Sequence, residues 1–184
     1  MTRIAHQGIV LRPFSSHDAA AFAAAARESA RTVGRWMSWC HDAYSAGEAQ
    51  SWFVLCQQGR VEGTSFECGI FSEDGLELLG GAGLNHFNLD HAFCNLGYWV
   101  RESKHRQGVA FRAAQAMAAY AFDELNFSRV EIVVPVGNEP SRALALKLGA
   151  ELECVARNRL VIGGKPMPAW VHALFPAPIN ADRA

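Results

Sequence analysis

The chain has 184 residues, of which 50% are hydrophobic and 19% charged, and 17 Lys and Arg stand against 18 Asp and Glu for a formal net charge of −1. This length suits one domain with a sizeable core, and the near-neutral charge argues against a nucleic-acid or anionic-membrane partner. No apolar run is long enough to cross a bilayer, and the composition is too apolar for a disordered chain. We expect a single domain over residues 1–176 and a short C-terminal tail over residues 177–184.

The cysteines and histidines are scattered rather than grouped. The five cysteines form no C-x-x-C pair, and the first residues lack the apolar core of a signal peptide. An odd cysteine count favours free thiols in a reducing cytoplasm. The seven histidines show no ligand-like spacing, so we expect no metal site.

The first half of the chain changes from a helical to a strand pattern. A strand is predicted over residues 8–14, then an alanine-rich helix from Ser16-His17-Asp18 to about Ala30, and further helix in one or two pieces within residues 36–59. Three short apolar runs follow, split by turn compositions, at residues 64–71, 76–87 and 94–100. These runs predict an antiparallel meander.

The second half alternates strands and helices. Apolar residues three or four apart predict a helix over residues 108–125, and the β-branched run 130–136 predicts a strand covered on both faces. A short helix from Asn138 to Leu148 and strands over residues 150–161 and 169–175 complete the chain. The sequence therefore predicts an α+β fold, with a mixed central sheet flanked by helices on both faces.

The loop before residue 108 has the character of an anion site. A strand ends near Val100, a basic loop follows, and a helix opens at Gly108-Val109-Ala110. Helix N-termini bind phosphates, small residues allow close approach, and four cations lie nearby: Arg101, Lys104, Arg106 and Arg112. The alternative is an ordinary strand-to-helix loop with solvated charges.

A second segment, Asn138-Glu139-Pro140-Ser141 followed by Lys147-Leu148-Gly149, comes after the strand at residues 130–136. With the basic loop it resembles the GNAT superfamily of acyl-CoA N-acyltransferases, and more closely the RimJ/RimL branch, which acetylates N-terminal amines of ribosomal proteins. Leu11-Arg12-Pro13, residues 70–81 and Gly97-Tyr98-Trp99-Val100 match further parts of that branch in order. The resemblance covers nearly the whole chain.

The resemblance implies acetyl-CoA as co-substrate, with its pyrophosphate on the loop amides and its pantetheine arm paired with the central strand. The cofactor-binding residues it implies are Tyr98, Trp99, Val100, His105, Arg106, Gln107, Gly108, Val109, Ala110, Asn138, Ser141 and Lys147. His105 stands where the family pattern usually opens with Gln or Arg.

The resemblance implies a proton donor but leaves the general base unassigned. Ser141 matches the proposed proton donor of the branch, although a serine there is also an ordinary first-turn helix residue. Asn95 stands where the branch often has a glutamate base. Glu67 and His86 on neighbouring strands are the alternative candidates for the base; each could equally be a structural strand residue.

The resemblance implies a cytoplasmic, homodimeric N-acetyltransferase in which the amine attacks the thioester directly. The missing glutamate favours an amine of low pKa, so we expect a protein N-terminal α-amine as acceptor. Two alternatives stay open: a small amine such as a polyamine, an aminoglycoside or an amino-acid analogue, and a catalytically silent acyl-CoA-binding regulator. Trp36, Trp39 and Trp52 line either the acceptor groove or the core.

Overall fold

The computed structural model describes residues 3–176, which form eight strands and four α-helices. The strands are β1 (Ile4–His6), β2 (Ile9–Arg12), β3 (Phe66–Ser72), β4 (Leu78–Asn88), β5 (Phe93–Val100), β6 (Arg129–Pro135), β7 (Glu151–Ile162) and β8 (Lys165–Leu174). The helices are α1 (Ala19–Glu28), α2 (Ala46–Glu62), α3 (Val109–Asp123) and α4 (Glu139–Lys147). The predicted tail at residues 177–184 lies outside the described residues.

All eight strands join one sheet in the order β1-β2-β3-β4-β5-β6-β8-β7. Neighbours are antiparallel except β5 and β6, which run parallel. This confirms the predicted mixed sheet and the predicted meander, which corresponds to β3, β4 and β5.

The helices cover both faces of the sheet, as predicted, and each face has its own apolar core. On the α3/α4 face, Leu96, Met117 and Ile132 belong to one buried cluster. On the α1/α2 face, Phe22 and Phe71 belong to the other. Because side chains alternate along a strand, neighbouring residues of β5 serve different cores.

The helical prediction for residues 36–59 is wrong in its first part. α2 begins at Ala46 behind the capping box of Ser45 and Glu48, but residues 29–45 form successive turns. Gly34 explains part of the difference, since a Cβ there would overlap the carbonyl oxygens of Ala30 and Cys40. The three-residue strand β1, reversed by left-handed Gln7 and Gly8, was not predicted either.

The sheet splits between β5 and β6. Their pairing covers only Phe93 to Asn95 on β5, opposite Arg129 to Glu131 on β6. Beyond that point β6 continues against β8 up to Pro135, while residues 96–100 of β5 have only β4 as a strand partner within residues 3–176. The backbone polar groups on that edge of β5 are therefore left without a strand to pair with.

All five cysteines are free thiols, four of them buried and Cys154 exposed. Within residues 3–176 no helix is long and apolar enough to span a membrane.

Candidate active site

The loop between β5 and α3 presents a set of unused backbone donors. The amides of residues 106–111 donate to no acceptor within the described part of the chain. Gly108, the N-cap of α3, has φ +73°, and Arg106 has φ +61°. Successive free amides at a helix N-terminus bind anions, so the loop fits the predicted pyrophosphate.

The start of this loop is held by the end of α1. Glu28 accepts hydrogen bonds from the Ser103 amide at 2.7 Å and from Arg101 Nε at 3.1 Å. Ser29 Oγ accepts from the Glu102 amide at 3.0 Å. Hydrogen bonds from Arg101 and Ser103 lower the pKa of Glu28 to about 2. These contacts fix residues 101–103 and leave the amides further along the loop free.

Two of the four cations of the loop, Arg101 and Lys104, are compensated by carboxylates. Arg101 pairs with Glu28, Lys104 pairs with Glu77 at 2.8 Å, and Arg112 donates to the Gln7 carbonyl at 2.6 Å. Arg106 is exposed and forms no ion pair within residues 3–176. The anion site therefore combines free amides with the charges of Arg106 and Arg112, which form no ion pair within residues 3–176. His105 supports the loop by bonding the Val100 carbonyl at 2.8 Å.

A hydroxyl pair lies on the α3/α4 face, between β5 and the first turn of α4. Tyr98 Oη lies 3.1 Å from Ser141 Oγ and donates to the Ser141 carbonyl at 3.3 Å. Asn138 caps α4 by accepting from the Ser141 amide at 3.4 Å. Burial raises the pKa of Tyr98 to about 12, so its phenol stays protonated at any physiological pH. The sequence indicated the backbone of Tyr98, but nothing in it indicated this side-chain contact.

The first turn of α3 and the last residue of α4 also meet on this face. Lys147 Nζ lies 4.7 Å from the centre of the Phe111 ring, beside the first turn of α3. Trp99 differs from the other predicted residues, because its side chain turns to the opposite face and packs against Phe22 and Trp39. Only the backbone of Trp99 remains available to a cofactor.

On the α1/α2 face, the Glu67 carboxylate extends across β4. A Cβ on Gly83, the β4 partner of Glu67, would overlap that carboxylate. Asn85 Nδ2 donates to Glu67 Oε1 at 3.0 Å, and no cation pairs with the carboxylate within residues 3–176. Burial raises the pKa of Glu67, and the Asn85 hydrogen bond opposes that rise.

Glu67 points toward open space at the split in the sheet. Gly83 pairs with Gly97 of β5, and a Cβ on Gly97 would meet nothing within 4 Å. Strands lie about 4.8 Å apart, so a carboxylate above Gly83 is about one water molecule away from Gly97.

His86 is placed differently from Glu67. It lies in a β4 bulge with φ +52°, its side chain is exposed, and it makes no hydrogen bond within the described chain. The structure therefore does not bring His86 and Glu67 into one site.

The three tryptophans have separate positions. Trp39 packs in the α1/α2 core, and Trp52 is 38% exposed on α2. Trp36 approaches the loop before α4, where a Cβ on Gly137 would lie 3.7 Å from its ring. Trp36 thus approaches the split from the β6 side, whereas Trp39 packs against Trp99 on the β5 side.

Comparisons with known proteins agree with this geometry. The family profile described as Acetyltransferase (GNAT) domain matches residues 9–151. The Bacillus subtilis (strain 168) protein named "Putative ribosomal N-acetyltransferase YdaF" is 25% identical over 160 residues, 86% of each chain.

Solved structures extend the likeness to the whole fold. A "putative ribosomal-protein-serine acetyltransferase" from Vibrio cholerae superposes with a TM-score of 0.85 and 31% identity, over 96% of this chain and 100% of that one. RimJ of Mycobacterium smegmatis in complex with CoA-disulfide superposes with a TM-score of 0.87 at 21% identity, over 95% of this chain and 87% of that one. This likeness shows that the two proteins share the fold. The chain therefore belongs to the GNAT acetyltransferase family and is an acetyl-CoA-dependent N-acetyltransferase.

Proposed function

We propose that the chain acetylates the free α-amine at the N-terminus of a protein, with Glu67 as general base. The observation that carries the proposal is the Glu67 carboxylate, which lacks a pairing cation among residues 3–176 and lies beside the open space above Gly97. A half-buried, uncompensated carboxylate next to a cleft is typical of a functional acid or base.

The charges on the α1/α2 face favour an α-amine over a polycation. Glu131 pairs with Arg129 at 2.9 Å and approaches Arg159 at 3.8 Å, and Glu153 also pairs with Arg129. These carboxylates are compensated, so they do not form an acidic pocket for a polyamine or an aminoglycoside. An α-amine, with a pKa of about 8, is partly neutral at physiological pH, whereas a lysine amine is not.

The names of similar proteins support a ribosomal acceptor. The B. subtilis relative is named for ribosomal N-acetylation, and the V. cholerae structure is named for a serine of a ribosomal protein. We infer that a ribosomal protein with an N-terminal serine is the most suitable first acceptor to test.

Glu67 would act through one water molecule. Its raised pKa makes the carboxylate a stronger base than an exposed glutamate, while it remains ionised above that pKa. The proton leaves the amine nitrogen as the carbon–nitrogen bond forms and the carbon–sulfur bond breaks. Approach from the α1/α2 face places the amine on the side of the sheet opposite to α3 and α4.

Ser141 and Tyr98 would return a proton to the leaving sulfur. Bound acetyl-CoA supplies the thioester, and we assign its pyrophosphate to the amides of residues 106–110, its arm to the edge of β5 at residues 98–100, and Lys147 and Asn138 to its flank. The Ser141 hydroxyl can donate its proton to the sulfur and regain one from solvent, while Tyr98 Oη, 3.1 Å away, orients that hydroxyl and keeps its own proton.

The test is an acceptor panel assayed by thiol release and by mass spectrometry. It contains a serine-initiated peptide, the same peptide with a blocked N-terminus and one lysine, spermidine and kanamycin. We expect acetylation of the free α-amine alone. Preferred transfer to spermidine or kanamycin would contradict the proposal in favour of a small amine. Binding of acetyl-CoA without any transfer would contradict it in favour of a silent regulator.

We further propose a homodimer, by the family resemblance, a cytoplasmic location, from the odd number of scattered cysteines, and a single domain that ends near residue 176, from the length of the chain.

A further inference from the structure

Two asparagine side chains link Glu67 to the split in the sheet. Asn85 Nδ2 donates to Glu67 Oε1 at 3.0 Å, and Asn95 Nδ2 donates to Asn85 Oδ1 at 2.9 Å. This series of hydrogen-bonded side chains crosses β3, β4 and β5 on one face of the sheet and ends where β5 and β6 separate. Asn95 is the residue that pairs with Glu131 at the last point of that pairing.

The direction of each hydrogen bond follows from the carboxylate. An ionised carboxylate only accepts, so Asn85 must turn its amide nitrogen toward Glu67 and its oxygen toward β5. That oxygen requires a donor, which Asn95 Nδ2 supplies. Asn95 therefore selects the orientation of Asn85 in which a donor faces Glu67.

Nothing else within the described chain stabilises the charge of Glu67. From α2, Cys56 and Arg60 face it, and Cys68 is its neighbour on β3. Burial raises the pKa of both thiols to about 12, so they are neutral. Arg60 donates to the Glu67 carbonyl at 2.9 Å, not to its carboxylate, and stacks over Phe66.

We propose that Asn85 and Asn95 are positioning residues that hold the Glu67 carboxylate ionised above Gly83 and directed at Gly97. This inference rests on the proposed role of Glu67 and adds the device that makes a buried carboxylate usable as a base. Asn85 acts directly on the carboxylate, and Asn95 acts through Asn85. Neither amide takes up a proton.

A direct test is the titration of Glu67 by carbon-13 NMR of glutamate carboxyl groups, with the Glu67→Gln spectrum assigning its signal. Asn85→Leu keeps the size of the side chain but removes the donor, and we expect the pKa of Glu67 to rise by about one unit. Asn95→Asp keeps the shape but offers a charge instead of a donor, so it should also raise that pKa. Asn88→Ala on the same strand is the control. An unchanged Glu67 titration in Asn85→Leu would overturn the inference.

The pH profile of kcat/KM separates this inference from the proposed base. We expect the acid limb of the Asn85→Leu profile to shift to higher pH by as many pH units as the NMR titration of Glu67 does. Most of the activity should be recovered at high pH. A loss of activity that is equal at every pH would overturn the positioning role in favour of a merely structural one. An NMR shift without movement of the acid limb would contradict Glu67 as the base, while leaving the effect of Asn85 on its charge established.

Discussion

Glu67 is held where its charged form is poorly stabilised. Its pKa is raised in the folded chain, so the native state binds this proton more tightly than the unfolded chain does. Its effect on stability is therefore favourable at low pH and is lost as the pH rises through the folded pKa. Above the pKa that Glu67 has in the unfolded chain, this residue therefore lowers the stability of the fold, as is common for groups kept for activity.

Replacing Glu67 by glutamine should therefore stabilise the protein near neutral pH. We expect Glu67→Gln to raise the Tm by a few degrees at about pH 7 and to lose that advantage below about pH 4, where the wild-type carboxyl is protonated. Glu62→Gln, an exposed change at the end of α2, is the control. A lower Tm for Glu67→Gln at neutral pH would show that the buried charge is compensated after all.

The hydroxyl pair should behave as one unit. We expect Tyr98→Phe and Ser141→Ala each to lower the rate constant of single-turnover acetylation by about tenfold to a hundredfold, with little change in acetyl-CoA affinity. Because both act on one proton, the double variant should lose hardly more than either single variant. Full turnover in Ser141→Ala would remove Ser141 as the donor, and additive losses would separate the two hydroxyls.

The sequence could name several of these residues but not their partners. Ser141 was a candidate because it matches the proton donor proposed for the branch, and Glu67 because the resemblance left the base unassigned. The Tyr98 side-chain contact and the amides of Asn85 and Asn95 depend on register and on which face each residue takes. Those are set by strand pairing between distant segments, which one sequence does not specify.

At the scale of elements, the C-terminal end of α1 holds the start of the loop before α3 in place by hydrogen bonds. Glu28 and Ser29, at the end of α1, bind three groups of residues 101–103. We expect Glu28→Gln to weaken acetyl-CoA binding several-fold, measured by calorimetry, because the start of the loop loses its anchor. Glu73→Gln, an exposed change in the turn between β3 and β4, is the control and should have little effect. Equal affinities of Glu28→Gln and the wild type would show that the loop is ordered without α1.

The pH dependence of this anchor has the opposite sign to that of Glu67. The pKa of Glu28 is lowered to about 2, so its stabilising effect is present above its unfolded pKa and is lost as the pH falls toward that value.

Elements were easiest to predict where local signals agree. The apolar stripe over residues 108–125 predicted α3, which spans Val109–Asp123. Residues 29–45 were harder, because their turns depend on contacts such as the approach of Gly34 to the carbonyls of Ala30 and Cys40. Composition alone does not separate such turns from a short helix.

For the whole molecule, the sheet separates two sets of chemical groups, one on each face. The gap between β5 and β6 is the place where the two sets come close to each other. The free amides and the hydroxyl pair lie toward α3 and α4, whereas Glu67 and its asparagines lie toward α1 and α2. The order of helices and strands predicted the mixed sheet. The family resemblance assigns the cofactor to the α3/α4 side, which stays a prediction. The extent of the split could not be predicted, since it depends on β5 and β6 pairing over only three residues each.

The most direct test of this account is single-turnover acetylation of a serine-initiated peptide by Glu67→Gln, with acetyl-CoA affinity measured on the same sample. Loss of a general base lowers the rate by about a hundredfold or more, so we predict a fall of that size with unchanged affinity. A rate within about threefold of the wild type, well below the loss expected for a general base, would contradict the central role of Glu67.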